Sequence, residues 1–78
     1  MRLWILRPGP DQSAWEPWFD KAFGFVVRAE SEKAARAMAA KEHGDEGAEA
    51  WCSNQSSTCE PLIIEGAAGV IMEDYAHA

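Results

Sequence analysis

The 78-residue sequence predicts a small α+β domain, in which a four-stranded antiparallel or mixed sheet carries one helix on one face. Two apolar runs near the start and two more near the end predict the four strands. A capped, alanine-rich stretch between the two pairs predicts the helix. We therefore expect the order β-β-α-β-β within one domain over residues 1–78, without an internal repeat or a linker.

The first strand is predicted over residues 2–7, a compact apolar run that ends at the turn sequence PGP. Leu3 and Ile5 alternate with Trp4 and Leu6, so both faces of the strand carry apolar side chains. A strand that is apolar on both faces is typically covered on both. We therefore expect this strand to lie in the centre of the sheet.

Residues 8–21 contain three prolines and are predicted to form a long connection. Two interpretations of its aromatic side chains stay open. In the favoured one, Trp15, Trp18 and Phe19 cover one edge of the small core. In the other, the pair Trp15 and Trp18 is exposed and anchors a partner, because tryptophan is enriched at binding hot spots.

The second strand is predicted over residues 22–30, where side chains alternate most clearly. Gly24 leaves room for a bulge or for the close approach of a neighbouring ring. One face of this strand carries Phe23, Phe25, Val27 and Ala29.

The helix is predicted over residues 32–43. Ser31 supplies an N-cap oxygen, and Gly44 is a stop signal. Glu32 in the first turn and Lys41 in the last complement the helix dipole. Because the helix is rich in alanine, we expect it to lie close to the sheet. The sequence after it, residues 44–51, predicts a turn and then a short helical or extended stretch that buries a tryptophan.

The last two strands are predicted over residues 58–64 and 69–75, where Gly66 and Gly69 indicate a hairpin. Pro61 cannot donate a backbone hydrogen bond, so it places the first of these strands at an edge or at a bulge.

The two cysteines, Cys52 and Cys59, match neither zinc-finger nor thioredoxin spacing. We expect reduced thiols and a cytoplasmic location, although seven residues can form a hairpin that would allow a disulfide. The N-terminal run is too short before its first proline for a signal peptide. No apolar run approaches the ~18 residues of a membrane span.

Charge is distributed unevenly along the chain. Residues 1–41 hold all seven lysines and arginines together with five acidic residues, whereas residues 42–78 hold eight acidic residues and no lysine or arginine. Such asymmetry bears on partners and solubility rather than on the fold. The basic residues are interleaved with acidic ones, so they do not indicate a nucleic-acid-binding stripe.

Enzymatic and metal-binding chemistry has little support in the sequence. His43 follows the helix and His77 is next to the last residue, which leaves a nucleophilic triad without a positioned base. Residues 44–49 lack the ligand spacing of an EF-hand, and Cys52 and Cys59 with the histidines lack the spacing of a zinc site. We expect a non-enzymatic protein without a cofactor.

The unbalanced carboxylates themselves are the strongest functional signal. On their own they could serve only solubility. However, duplex DNA carries one charge per ~1.7 Å, so eight carboxylates would match roughly 14 Å of duplex. Asp45, Glu46 and Glu49 are predicted to form the centre of one anionic surface. Around this centre we expect Glu42, Glu65, Glu73 and Asp74.

Five stretches of the chain resemble a set of short phage and prophage proteins of proteobacteria, namely residues 4–8, 15–36, 44–51, 57–62 and 69–76. Some small acidic members of this set are anti-CRISPR proteins. The resemblance implies a phage-encoded inhibitor that acts in the cytoplasm of a bacterial host and binds a type I CRISPR-Cas surveillance complex, with type I-C as the subtype considered. By imitating DNA charge it would occupy the DNA-binding or motif-recognition surface of a Cas subunit and block target binding.

The resemblance carries over no individual contact residue. We expect a monomer or weak homodimer that binds a protein partner and touches neither nucleic acid nor membrane directly. The alternative is a cytoplasmic interaction module or homodimer that pairs through an exposed strand and the tryptophans, with the acidic residues serving only solubility.

Overall fold

The computed structural model describes residues 1–11, 13–15 and 20–72. Within them the chain forms an α+β fold with a three-stranded antiparallel sheet and two α-helices. A single turn of 3-10 helix, Ser13–Trp15, lies in the connection between the first two strands. The elements in chain order are β1 (Arg2–Pro8), β2 (Phe25–Ala29), α1 (Glu32–Lys41), α2 (Ala48–Cys52) and β3 (Ser57–Pro61).

The sheet has the order β2-β1-β3, so the predicted central position of the first strand is confirmed. Trp4 lies opposite Val27, and Leu6 lies opposite Cys59. In antiparallel pairs, directly opposed residues point to the same face. The two faces of β1 therefore continue across both neighbouring strands.

The predicted fourth strand is not confirmed. Of its residues 69–75, positions 69–72 carry no strand and 73–75 lie outside the described residues. The third strand also ends earlier than predicted, at Pro61, which has no N–H to donate. Leu62 still donates its backbone N–H to the Leu3 carbonyl at 2.9 Å, and the chain then leaves the sheet.

Helix α1 agrees with its sequence signals. The Ser31 hydroxyl accepts a hydrogen bond from the Ala34 backbone N–H at 3.2 Å, as expected of an N-cap. The helix ends at Lys41, two residues before the predicted end at His43. The second helix, α2, settles the open choice between a helical and an extended stretch before the polar loop.

The core lies between α1, α2 and one face of the sheet, here called the inner face. Trp51 is fully buried and meets the rings of Trp15 and Phe25 edge-on, at centroid distances of 5.2 and 4.9 Å. Such edge-to-face pairs add about 0.5–1.5 kcal/mol to the apolar burial. The other buried members of this cluster are small or belong to β1: Trp4, Leu6, Ala29, Ala35, Ala39 and Ala50.

Arg36 connects α1 to the loop that leads into β3. Only 8% of its surface is exposed, and its guanidinium donates to the carbonyls of Trp51, Ser53 and Ser57 at 3.0–3.2 Å. It also donates to the Ser57 hydroxyl at 2.8 Å and forms an ion pair with Glu32 at 2.9 Å. A buried charge is tolerated here because its donors meet acceptors.

The opposite face of the sheet, here called the outer face, is covered in part by residues 62–72, the C-terminal strap. The strap lies over Ile5, which is only 4% exposed although it points away from the core. The Arg7 guanidinium donates to the Ile71 carbonyl and holds the far end of the strap.

Both cysteines are free, so the disulfide left open by their spacing is not formed. Cys52 is exposed, and Cys59 is half-buried on the inner face. Burial raises the pKa of the Cys59 thiol, which favours its protonated form.

We expect Arg36→Met to destabilise the fold by about 2–4 kcal/mol, because the carbonyls of Trp51, Ser53 and Ser57 would lose their donor. Urea denaturation followed by tryptophan fluorescence measures this. The matched control is Lys33→Met, an exposed position on the same helix, which should change stability by no more than about 0.5 kcal/mol. Equal effects of the two changes would contradict the role given to Arg36.

Candidate acidic interaction site

The turn between the two helices is held against the segment before β2. The Asp45 backbone N–H donates to the Asp20 carbonyl at 2.7 Å. A Cβ at Gly44 would lie 2.3 Å from that same carbonyl oxygen, so only glycine fits this approach. The backbones of residues 20 and 44–45 are therefore neighbours, although they are far apart in sequence.

Glu46 lies inside this turn and not on the surface, which corrects the prediction that it forms part of the centre of an anionic surface. Only 8% of its surface is exposed. Its carboxylate accepts from the indole N–H of Trp51 at 2.5 Å, from the Ala22 backbone N–H at 3.0 Å and from the Gly44 backbone N–H at 3.0 Å. A carboxylate that is buried and bonded in this way cannot contact a partner directly.

The pKa of Glu46 is set by two opposing influences. Burial disfavours the ionised carboxylate and raises the pKa, whereas the hydrogen bonds from Trp51, Gly44 and Ala22 favour it and lower the pKa. The hydrogen bonds prevail, and the pKa of Glu46 lies below its ordinary value. The side chain is therefore an anion at neutral pH.

Other carboxylates around this turn are exposed, and together they define the acidic corner: Asp20, Glu42, Asp45 and Glu49. Glu42 follows the end of α1, and Glu49 lies in the first turn of α2. Asp20 is a member that the sequence did not predict, because no local pattern connects it to residues 42–49. Only the contact between the Asp20 carbonyl and the Asp45 backbone brings it here.

Two lysines, Lys21 and Lys41, neighbour this corner along the chain. Lys21 directs its ammonium to the Ala14 carbonyl instead of to a carboxylate. Across residues 1–11, 13–15 and 20–72, the pair between Arg36 and Glu32 is the only ion pair. The carboxylates of the acidic corner are therefore exposed without a direct cationic partner in the described part of the chain.

The remaining predicted site residues do not join this corner. Glu65 lies in the C-terminal strap beside Ile5 and Arg7, on the outer face, whereas the corner lies on the helix side of the sheet. Glu73 and Asp74 lie outside the described residues. The prediction of one common anionic surface therefore does not hold for Glu65, because residues 62–72 lie along the outer face.

Of the two tryptophans considered as anchors, the structure describes only Trp15. Trp15 is 3% exposed, packs against Trp51 and donates its indole N–H to the Ala22 carbonyl at 2.6 Å. It belongs to the core, in agreement with the favoured interpretation, and the anchor role does not fit it. Trp18 lies outside the described residues.

Within the described residues, no three histidine, cysteine, aspartate or glutamate side chains are arranged to hold a metal ion. His43 places its Nδ1 atom 2.7 Å from the Gly44 carbonyl. The chemistry available at the corner is thus that of solvated carboxylates, which recognise cationic groups by charge and by accepting hydrogen bonds.

Comparison with protein-family models, with curated proteins and with solved structures gave no match to this chain. No helix in the described part of the chain is both long enough and apolar enough to cross a membrane.

We expect Glu46→Gln to destabilise the protein by about 1–3 kcal/mol at pH 7, because it replaces a charged acceptor of several hydrogen bonds. Since folding lowers the pKa of Glu46, its stabilising effect is complete above the unfolded pKa of about 4.3 and is lost as the pH falls through the folded value. The difference between wild type and variant should therefore shrink from pH 6 to pH 3 in urea titrations.

Glu49→Gln is the matched control, because Glu49 is exposed on the adjoining helix. Its effect on stability should be small at pH 7. A Glu46→Gln deficit that persists undiminished at the lowest pH would contradict the role of the ionised carboxylate.

Proposed function

We propose that this chain is a non-enzymatic binding protein whose acidic corner occupies a cationic, nucleic-acid-binding site on a protein partner. The observation that carries the proposal is the exposure of Asp20, Glu42, Asp45 and Glu49 around one turn, with no ion pair to any of them within the described residues. Carboxylates that are already solvated and unpaired can meet arginines and lysines without first breaking internal ion pairs.

The partner we propose is a Cas subunit of a type I CRISPR-Cas surveillance complex, as the resemblance to small acidic phage proteins implies. In this role the chain would be a phage-encoded inhibitor acting in the bacterial cytoplasm. Binding of the corner would exclude target DNA from the complex. It is the arginines and lysines of such a complex that supply the charge complementary to the corner.

The size of the corner narrows the kind of site it can fill. Four carboxylates match the charge on ~7 Å of duplex, about two base pairs. This is the scale of a short cationic site that reads a motif of two or three bases. It is much smaller than a channel that holds a heteroduplex of about 20 base pairs. We therefore propose that the corner competes at a motif-reading site.

The turn gives the corner a fixed shape, which supports recognition over mere solubility. Glu46 bonds the turn to Trp51 and to the segment before β2, and the Asp45 backbone adds a bond to the Asp20 carbonyl. Charges held on a rigid turn lose less side-chain and backbone entropy on binding than charges on a free loop.

The direct test uses a purified type I-C surveillance complex immobilised for interferometry, with the chain as analyte at about 50 and 200 mM salt. We expect Asp45→Lys combined with Glu49→Lys to weaken binding about 10- to 100-fold and to restore target-duplex binding in competition. Opposite charges become like charges at two exposed contacts, which accounts for this magnitude. Wild-type affinity should fall as salt rises.

The matched control is Glu30→Lys combined with Glu65→Lys, which changes net charge equally at exposed positions away from the corner. It should bind nearly as well as wild type, and circular dichroism should show all three proteins folded. Equal weakening by both pairs would show that only net charge matters. Absence of wild-type binding at low salt would refute the proposed partner.

A further inference from the structure

Most of the large apolar side chains that are exposed among the described residues lie on the outer face or in the C-terminal strap. In β2, Val26 is 52% exposed, and in the C-terminal strap Ile63 and Ile64 are 71% and 97% exposed. Ile71 contributes further apolar surface beside Ile5 and Ile63, and Val70 precedes it in the strap. Monomeric proteins rarely leave contiguous apolar patches larger than a few hundred Å² facing water.

The strap that carries most of this patch is fixed to the sheet at several points. Leu62 continues the pairing with β1, and the Arg7 guanidinium bonds the Ile71 carbonyl. The Met72 methyl lies only 1.7 Å from the position that a Cβ at Gly24 would take, so a side chain at Gly24 would displace it. The patch is therefore part of the folded surface.

Charges on the outer face have opposite signs at its two edges. Val26 and Glu60 both lie opposite Ile5 in the register, and Arg28 lies opposite Leu3, which places all of them on this face. Because the strand order is β2-β1-β3, Arg28 belongs to one edge strand and Glu60 to the other. Both side chains are exposed, and neither has an ion-pair partner within the described residues.

This layout is complementary to itself. A two-fold axis that lies between two facing sheets and runs along the strands places β2 of one copy opposite β3 of the other. Arg28 of each copy then faces the edge that carries Glu60 of its mate, and the contact occurs twice, as an isologous interface requires. The apolar side chains of the two straps and of Val26 meet between these charged edges.

We propose that the protein self-associates into a two-fold symmetric dimer through the outer face and its strap. The occupant is a second copy of this chain, because the two edges supply both partners of each ion pair. A standard interface covers ~800 Å² per copy, roughly a seventh of the 5555 Å² of accessible surface. One face of the protein is therefore large enough for such an interface. The acidic corner lies on the helix side and stays free, which makes the dimer independent of the proposed function.

Sedimentation equilibrium of the full chain from about 5 to 500 µM tests the proposal. We expect wild type to reach twice its 8.6 kDa mass at the upper concentrations, and Ile64→Glu to raise the dissociation constant at least tenfold. Ile64 is 97% exposed, so its substitution should leave the fold intact. The control is Met38→Glu, an exposed apolar position on α1, which should not alter association.

A charge exchange tests the arrangement itself. Arg28→Glu alone and Glu60→Arg alone should each weaken the dimer, whereas the two together should restore association, since each reversed pair regains its partner. A wild-type monomer throughout the range, an equal effect of Met38→Glu, or no restoration in the double variant would each overturn the proposal. Asp45→Lys combined with Glu49→Lys should associate like wild type, so failure here is separable from failure of the proposed function.

Discussion

The hydrogen bonds of the buried Glu46 carboxylate are the interaction on which the helix side of the structure depends. They join three places that are not consecutive in the chain: the segment before β2, the turn after α1 and the Trp51 indole at the centre of the core. Burying this carboxylate costs desolvation free energy, and the hydrogen bonds from its strong donors offset that cost. The same bonds fix the conformation of the turn around which the exposed carboxylates of the acidic corner lie.

Arg36 plays the corresponding part at the other end of Trp51. Its guanidinium bonds the Trp51 carbonyl and the loop into β3, while Glu46 bonds the indole of the same residue. The central tryptophan is thus bonded by two buried side chains of opposite charge, neither of which is paired with the other. The two short helices contribute mainly alanines to the core, and alanine packing alone would define their arrangement poorly. These polar bonds specify one arrangement of the helices.

The fold divides the surface into two regions with different chemistry. On the helix side, short turns expose carboxylates and their backbone is held in place. On the outer face, the strap adds isoleucines to a sheet whose edges carry opposite charges. The proposed partner binding and the proposed self-association are compatible with each other, because they use surfaces that the sheet separates.

The sequence by itself determined the α+β class, the central position of β1, the capped helix α1 and the burial of Trp51, because alternation, caps and stop residues are local signals. It predicted strand at residues 62–64 and 69–72, which carry none, since a short apolar run packs equally well as a strap. Whether a carboxylate is buried or exposed, as Glu46 and Asp45 show, was decided only by tertiary structure, because distant backbone N–H groups and an indole supply the bonds. Tertiary structure also decided that Asp20 belongs to the acidic corner, because its carbonyl contacts the Asp45 backbone, and that Glu65 does not, because the strap lies on the outer face.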